Sequence, residues 1–212
     1  MAEGLRERKK RRTRQHISDV ATGLFLARGF DAVTIAEVAE AADVSVNTVY
    51  NYFPAKEDLF LDRSARLVDR LSRWVRGRDN GESAAAAVLR ELRSEVEEMS
   101  PKVGLVPGID KFMVVIEDAP SLKSRLWSVR HEALVHLEEA LREEVGAAAD
   151  DPMPTLMAGQ INWVHETVMD VVRRDMIAGR DAGEVSREVL ALLDEIEDLL
   201  SEKVLNYAPR TA

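Results

Sequence analysis

The sequence predicts an all-α chain of about nine helices, in which a three-helix N-terminal head with a helix-turn-helix precedes a larger helical body. Three observations carry that prediction. Ala, Leu, Val, Glu and Arg dominate the 212 residues and β-branched runs are scarce, so local preference favours helix. Apolar residues recur at i, i+3, i+4 and i+7, and no stretch alternates as a half-buried strand would. Capping residues, glycines and prolines fall at the ends of the periodic segments.

Ile17, Val20, Ala21, Leu24 and Phe25 give an amphipathic helix that ends at Arg28-Gly29. Thr34 caps a short helix with Ile35, Val38 and Ala39 on one face, and Ala42-Asp43-Val44 is a tight turn. Ser45 caps a third short helix that runs to Phe53, where Pro54 stops it. The head is therefore residues 1–55 and the body residues 56–212. The body opens with a long helix, Lys56–Arg76, carrying Leu59, Phe60, Leu67 and Leu71. Helices follow at Ser83–Met99, Asp110–Glu117, Pro120–Val145, Thr155–Ala178 and Val185–Leu205. Glycine- and proline-rich breaks at 77–81, 101–107, 146–154 and 179–183 separate them.

The net charge of −9 is unevenly placed. Residues 1–60 hold nine of the 29 Lys/Arg and nine of the 38 Asp/Glu, so the whole excess lies beyond them. Within 5–14 (LRERKKRRTR) seven residues are basic and one is acidic. A basic arm on an otherwise acidic chain would orient it in a phosphate field, although a solvated tail would have the same composition. The chain has no cysteine, hence no disulfide or thiolate site. No apolar run reaches the ~18–20 residues of a membrane span, and the N-terminus lacks a signal-peptide pattern. The expected location is the cytoplasm.

Two short helices joined by a tight turn can place the second in a major groove. Advancing about 100° per residue from Val46, the side set by Val49 and Phe53 is buried, and Asn51 lies opposite it with Asn47 and Thr48 within about 60°. Short polar side chains there can bond to base edges, while Tyr50 and Tyr52 flank the face toward phosphates. The same arithmetic turns Val46 toward the core.

Residues 34–59, TIAEVAEAADVSVNTVYNYFPAKEDL, resemble the DNA-binding region of the TetR family of transcriptional regulators. Thr34, Ile35-Ala36, Ala42, Val44-Ser45, Tyr50, Tyr52, Phe53 and Lys56 stand in the family's register, and the resemblance covers roughly residues 10–60. It departs at Asp43, where the family usually has Gly; that turn position needs positive φ, which Asp tolerates. The resemblance implies a regulator, most often a repressor, that binds a palindromic operator as a homodimer and lets go when a small-molecule effector fills its body. It implies that Thr34, Ser45, Tyr50, Tyr52 and Lys56 hold phosphates and that Asn47, Thr48 and Asn51 face bases. Val46 is a further DNA-binding candidate, since the family often places that residue near bases.

In the body, the last two long helices carry apolar stripes wide enough for a core and a partner helix together. The expected dimer interface takes Trp163, Val168, Val171, Val189, Leu192, Leu193, Ile196 and Leu200. If the resemblance extends to a pocket, its candidate liners are Met99, Phe112, Met113, Ile116, Trp127, His131, Met157, Asn162, Trp163 and Glu166, a mixture of soft, aromatic and polar groups.

No enzyme or metal pattern fits. His131-Glu132 with His136 has one residue too many for the zinc-protease helix motif, which leaves the two histidines about 140° apart around a helix. There is no phosphate-binding loop, dinucleotide fingerprint or nucleophile elbow, so no cofactor, metal or catalytic residue is expected. Two rival classes are a helical protein–protein interaction module and a non-specific architectural DNA binder. The uncharged α-helical face at Asn47, Thr48 and Asn51 speaks against the second.

Overall fold

The computed structural model describes residues 4–65 and 68–211; Leu67, expected on the first body helix, lies outside them. The head helices are α1 (Leu5–Arg28), α2 (Ile35–Ala41) and α3 (Val46–Tyr52), followed by α4 (Lys56–Phe60) and α5 (Asp62–Ala65). Then come α6 (Arg70–Arg76), α7 (Ala84–Glu97), the 3-10 turn Pro101–Val103, α8 (Ile109–Asp118) and α9 (Pro120–Val145). Last are α10 (Met153–Ile177), α11 (Ala182–Leu199) and α12 (Glu202–Leu205). No strand occurs among the described residues, and no helix there is long and apolar enough to cross a membrane.

Two expected helices are broken. The segment 56–76 divides into α4, α5 and α6. Leu59, Phe60, Leu61 and Asp62 are all buried, and four consecutive residues sweep most of the way around a helix. A straight helix on a surface cannot bury every side, so the chain bends at Leu61 (φ −91, ψ 11). The last segment bends at Leu200, which is extended (φ −75, ψ 136), before Ser201 starts α12.

The chain forms two compact units. The first is Met1–Arg66 with Val114–Ser128, and the second is Leu67–Met113 with Val129–Ala212. The first unit thus takes in α4, α5, the end of α8 and the start of α9 beyond the 1–55 expected for the head. Its core is Ile17, Ala21, Phe25, Phe30, Val33, Val38, Val49, Phe53, Leu59 and Phe60. Phe25 lies 5.0 Å from Phe30 and meets Phe60 edge-on at 5.8 Å. Each such ring removes enough apolar surface to contribute about 2–3 kcal/mol. From α9, Arg125 Nε donates to Asp58 Oδ1 at 2.8 Å.

The second unit packs α7, α10 and α11 around an aliphatic core that includes Leu92, Val96, Ile161, Val164, Val168, Val189 and Leu193. Two buried arginines are satisfied within it. Arg78 bonds the carbonyls of Val75, Glu82 and Ala208 and the Glu144 carboxylate. Arg70 Nη1 donates to Glu95 Oε2 and to the Lys102 carbonyl, each at 3.1 Å, and its guanidinium lies 4.9 Å from the Trp74 ring. Burial holds the His165 imidazole below its ordinary pKa, so neutral Nε2 can accept from Arg70 Nη2.

Candidate nucleic-acid interface

The helix-turn-helix is held by local caps, and each cap consumes a hydroxyl. The Thr34 N–H and hydroxyl both donate to Glu37 Oε2, at 2.7 and 2.8 Å, while the Glu37 N–H donates back to Thr34 Oγ1 at 3.2 Å. Arg28 Nη2 donates to Glu37 Oε1 at 2.7 Å. The Thr34 backbone and hydroxyl bonds, with the Arg28 bond, bring the Glu37 carboxyl down to about 2. Ser45 Oγ accepts from the Thr48 N–H at 3.0 Å and lies 2.8 Å from the Thr48 hydroxyl. Asp43 takes positive φ (52°), as the turn requires.

On α3, Val49 and Phe53 are buried and Thr48 and Tyr52 half-buried. Val46 (41% exposed), Tyr50 (51%), Asn47 and Asn51 face out. This corrects two placements. Phe53 is the extended C-cap (φ −138, ψ 100), so it does not share the helix's angular frame. Without it, the buried side centres on Val49 and turns toward Thr48 and Tyr52. The outward face becomes Val46, Asn47, Tyr50 and Asn51, the i, i+1, i+4, i+5 set of one helix. Val46 leaves the core, and Thr48 becomes a half-buried partner of the Ser45 cap.

Lys56 also differs from expectation. Its Nζ donates to the Phe30 carbonyl at 2.6 Å and sits 4.3 Å over the Phe30 ring. The ammonium thus ties α4 to the start of the α1–α2 connection. The basic arm is the first part of α1, exposed from Leu5 to Arg12. Its last basic residue, Arg14, turns inward to Tyr52, Phe53 and Asp62. A run of like charges gave no signal that one member was internal.

The expected dimer residues fall into two groups. Val168, Val189, Leu193 and Ile196 are buried in the chain's own core, so they cannot meet a partner; the stripe's centre faces α7 and α10. Trp163 is 49% exposed, and Val171, Leu192 and Leu200 are half-buried. An open groove of about 420 Å³ is lined by Thr155, Leu156, Gly159, Gln160, Trp163, Leu199 and Leu200. Leu156 and Leu199, absent from the expected set, are 56% and 77% exposed.

Of the ten pocket candidates, Trp163 alone borders that groove. Met113, Ile116 and Met157 are buried core, Phe112 and Asn162 half-buried, and Met99, Trp127 and His131 exposed. Glu166 pairs with Arg130 at 3.0 Å. Ile116 and Trp127 belong to the first unit and the other eight to the second. Soft and aromatic composition selected residues that are divided among the core, half-buried positions, the surface and the edge of the groove. Among the described residues no group of three or more His, Asp or Glu could hold a metal ion.

Comparison with known proteins finds likenesses to the head and to the fold. Residues 17–62 match the family described as bacterial regulatory proteins, tetR family. The chain is 28% identical over 153 residues to the HTH-type transcriptional regulator TcmR of Streptomyces glaucescens, covering 70% of this chain and 67% of that one. It is 41% identical over 58 residues to the HTH-type transcriptional repressor KstR of Rhodococcus jostii, 27% of each chain. Among solved structures, a SmeT–triclosan complex superposes with a TM-score of 0.57 at 19% identity, over 91% of this chain and 93% of that one.

Proposed function

This chain is a DNA-binding transcriptional regulator of the TetR family, and from that premise we propose that it represses by holding a palindromic operator as a homodimer and releases it when a small molecule binds the body. The observation that carries the DNA reading is the α3 face. Val46, Asn47, Tyr50 and Asn51 stand out from a short helix whose two ends are fixed, by Ser45 at the start and Phe53 at the end. Asn47 and Asn51 offer paired donors and acceptors to base edges, and Val46 offers methyls to thymine. Tyr50 and Tyr52 reach phosphates, and the exposed arm adds charge without reading sequence. Thr34, Ser45 and Thr48 act by shaping the two helices, and Lys56 by docking α4.

One seven-residue reader helix covers too few base pairs for selectivity, so two copies are needed, spaced about 34–36 Å apart for successive major grooves. The groove bordered by Leu156, Trp163 and Leu199 supplies the second requirement, an apolar surface for a second copy. The SmeT structure holds triclosan, which supports a small-molecule trigger here. Within the first unit, the Arg125–Asp58 pair gives residues 114–128 a hold on α4, through which a trigger would act. The site of action is the cytoplasm, and no catalytic step is proposed.

The test is selection from a random duplex pool by the full chain. Enrichment of an inverted repeat whose half-sites are about one helical turn apart supports the reading. Recovery of no common sequence, or of an unpaired single site, contradicts it.

A further inference from the structure

Seven basic residues occupy positions 5–14, and the structure separates one from the rest. Arg6, Arg8, Lys9, Lys10, Arg11 and Arg12 are exposed on α1, whereas Arg14 is half-buried. Its Nη1 donates to the Tyr52 carbonyl at 2.7 Å, and its Nε donates to Asp62 Oδ1 at 2.8 Å. Its guanidinium carbon lies 4.4 Å from the centre of the Phe53 ring. Tyr52 is the last residue of α3, so its carbonyl has no partner further along that helix and carries part of the negative end of the helix dipole. The Asp62 side chain is fully buried on α5. One planar cation thus joins α1, the end of the reader helix and α5, and faces the ring that anchors α3 in the core.

Resting on the DNA reading above, we infer that Arg14 is a positioning residue for sequence recognition: it sets the roll of α3 on α1 and so the aim of Asn47 and Asn51, and it makes no phosphate contact of its own. The fork of the guanidinium matters here. Two donors in one plane reach two acceptors from different elements, which the single point of a lysine ammonium cannot reproduce. Rotating a short helix by a few tens of degrees would carry both asparagines off their base edges while leaving the exposed arm and its charge unchanged.

The inference is tested with the full chain, a duplex recovered from the random pool, and a random duplex, at two salt concentrations. Arg14→Lys keeps the positive charge. It should bind random duplex as the parent does, with the same salt dependence, yet lose selectivity for the recovered duplex by about tenfold, the worth of one charge-assisted hydrogen bond. Arg14→Ala should lose the same selectivity with an unchanged salt slope. Ser18→Ala is the stability control: it removes a bond from the Ser18 hydroxyl to the Leu59 carbonyl at 3.2 Å and leaves α3 untouched. It should preserve the ranking of single-base variants. A phosphate contact predicts the reverse pattern, with full selectivity in Arg14→Lys and a salt slope reduced in Arg14→Ala; that result overturns the inference. An equal loss of selectivity in Ser18→Ala also overturns it, since the effect would then be loss of stability alone. If the parent chain enriches no sequence, the DNA reading fails and this inference falls with it.

Discussion

Two exposed faces of this molecule differ in chemistry. On α3 the outward residues are two amides, a phenol and one isopropyl group, over a core of four phenylalanines and between two fixed helix ends. On α10 and α11 the exposed apolar residues at the groove are Leu156, Trp163 and Leu199, with Thr155 and Gln160 at its edge. The first face is well solvated alone and gains little from contact unless a partner matches its donors and acceptors. The second gains from any close apolar fit, at about 2–3 kcal/mol for each large side chain removed from water. The α3 face suits selection among partners, whereas the α10–α11 face suits holding one partner tightly. A dimeric reader of DNA needs both.

That contrast can be broken first at the apolar face. Trp163→Glu with Leu199→Glu should give monomers by sedimentation velocity, with helix content unchanged by circular dichroism. Operator affinity should fall by about 10²–10⁴-fold as the two half-sites become independent. Leu193→Glu should behave differently, because Leu193 is fully buried in its own chain: the body should unfold. A dimer that survives the double substitution would remove the groove from the account.

The next effect tests what supports the polar face. Phe53 is 1% exposed and closes α3. Phe53→Ala should lower stability by about 3–5 kcal/mol, read as the shift of the denaturant midpoint at constant slope. A change under about 1 kcal/mol would mean that the caps alone hold the reader helix.

A smaller effect concerns the cap itself. Folding holds the Glu37 carboxyl at about 2, below its ordinary 4.5. A lowered pKa stabilises the folded state above the unfolded value, and that contribution is lost as pH falls from 4.5 through about 2. Thermal midpoints of the parent should therefore decline more steeply across that window than those of Glu37→Gln, which does not titrate. Parallel declines would detach Glu37 from the stability of the head.

The two regions also differ in how far they could be read from sequence. In the head the caps and the turn are local: Thr34 with Glu37, Ser45 with Thr48, Asp43 in its turn. Residue types at fixed short spacing announce them, and the helix-turn-helix follows. One error there was also local. Counting Phe53 as helical placed Val46 inside and Thr48 outside, and the extended φ of Phe53 reversed both. In the body, periodicity marks an inward face without saying what it meets. Val168, Val189, Leu193 and Ile196 met their own chain, while the exposed Leu156 and Leu199 lay at the stripe's margin. Arg70 reaches His165, 95 positions away, and Arg14 reaches Tyr52 and Asp62. Charges paired across such distances leave no pattern in a linear sequence. Pocket residues chosen for softness and polarity had no geometric constraint at all.

The central claim is that the outward face of α3 reads base identity, and a binding scan over all single-base variants of the recovered duplex tests it most directly. The parent chain is compared with Asn51→Ala and with Thr48→Ala, whose side chain is half-buried against the Ser45 cap. Asn51→Ala should erase the preference at one base pair per half-site, by about 1–3 kcal/mol for a bidentate contact, and leave the other positions as they were. Thr48→Ala should leave the profile intact. An unchanged profile in Asn51→Ala, with positions altered in Thr48→Ala, would contradict the assignment of that face.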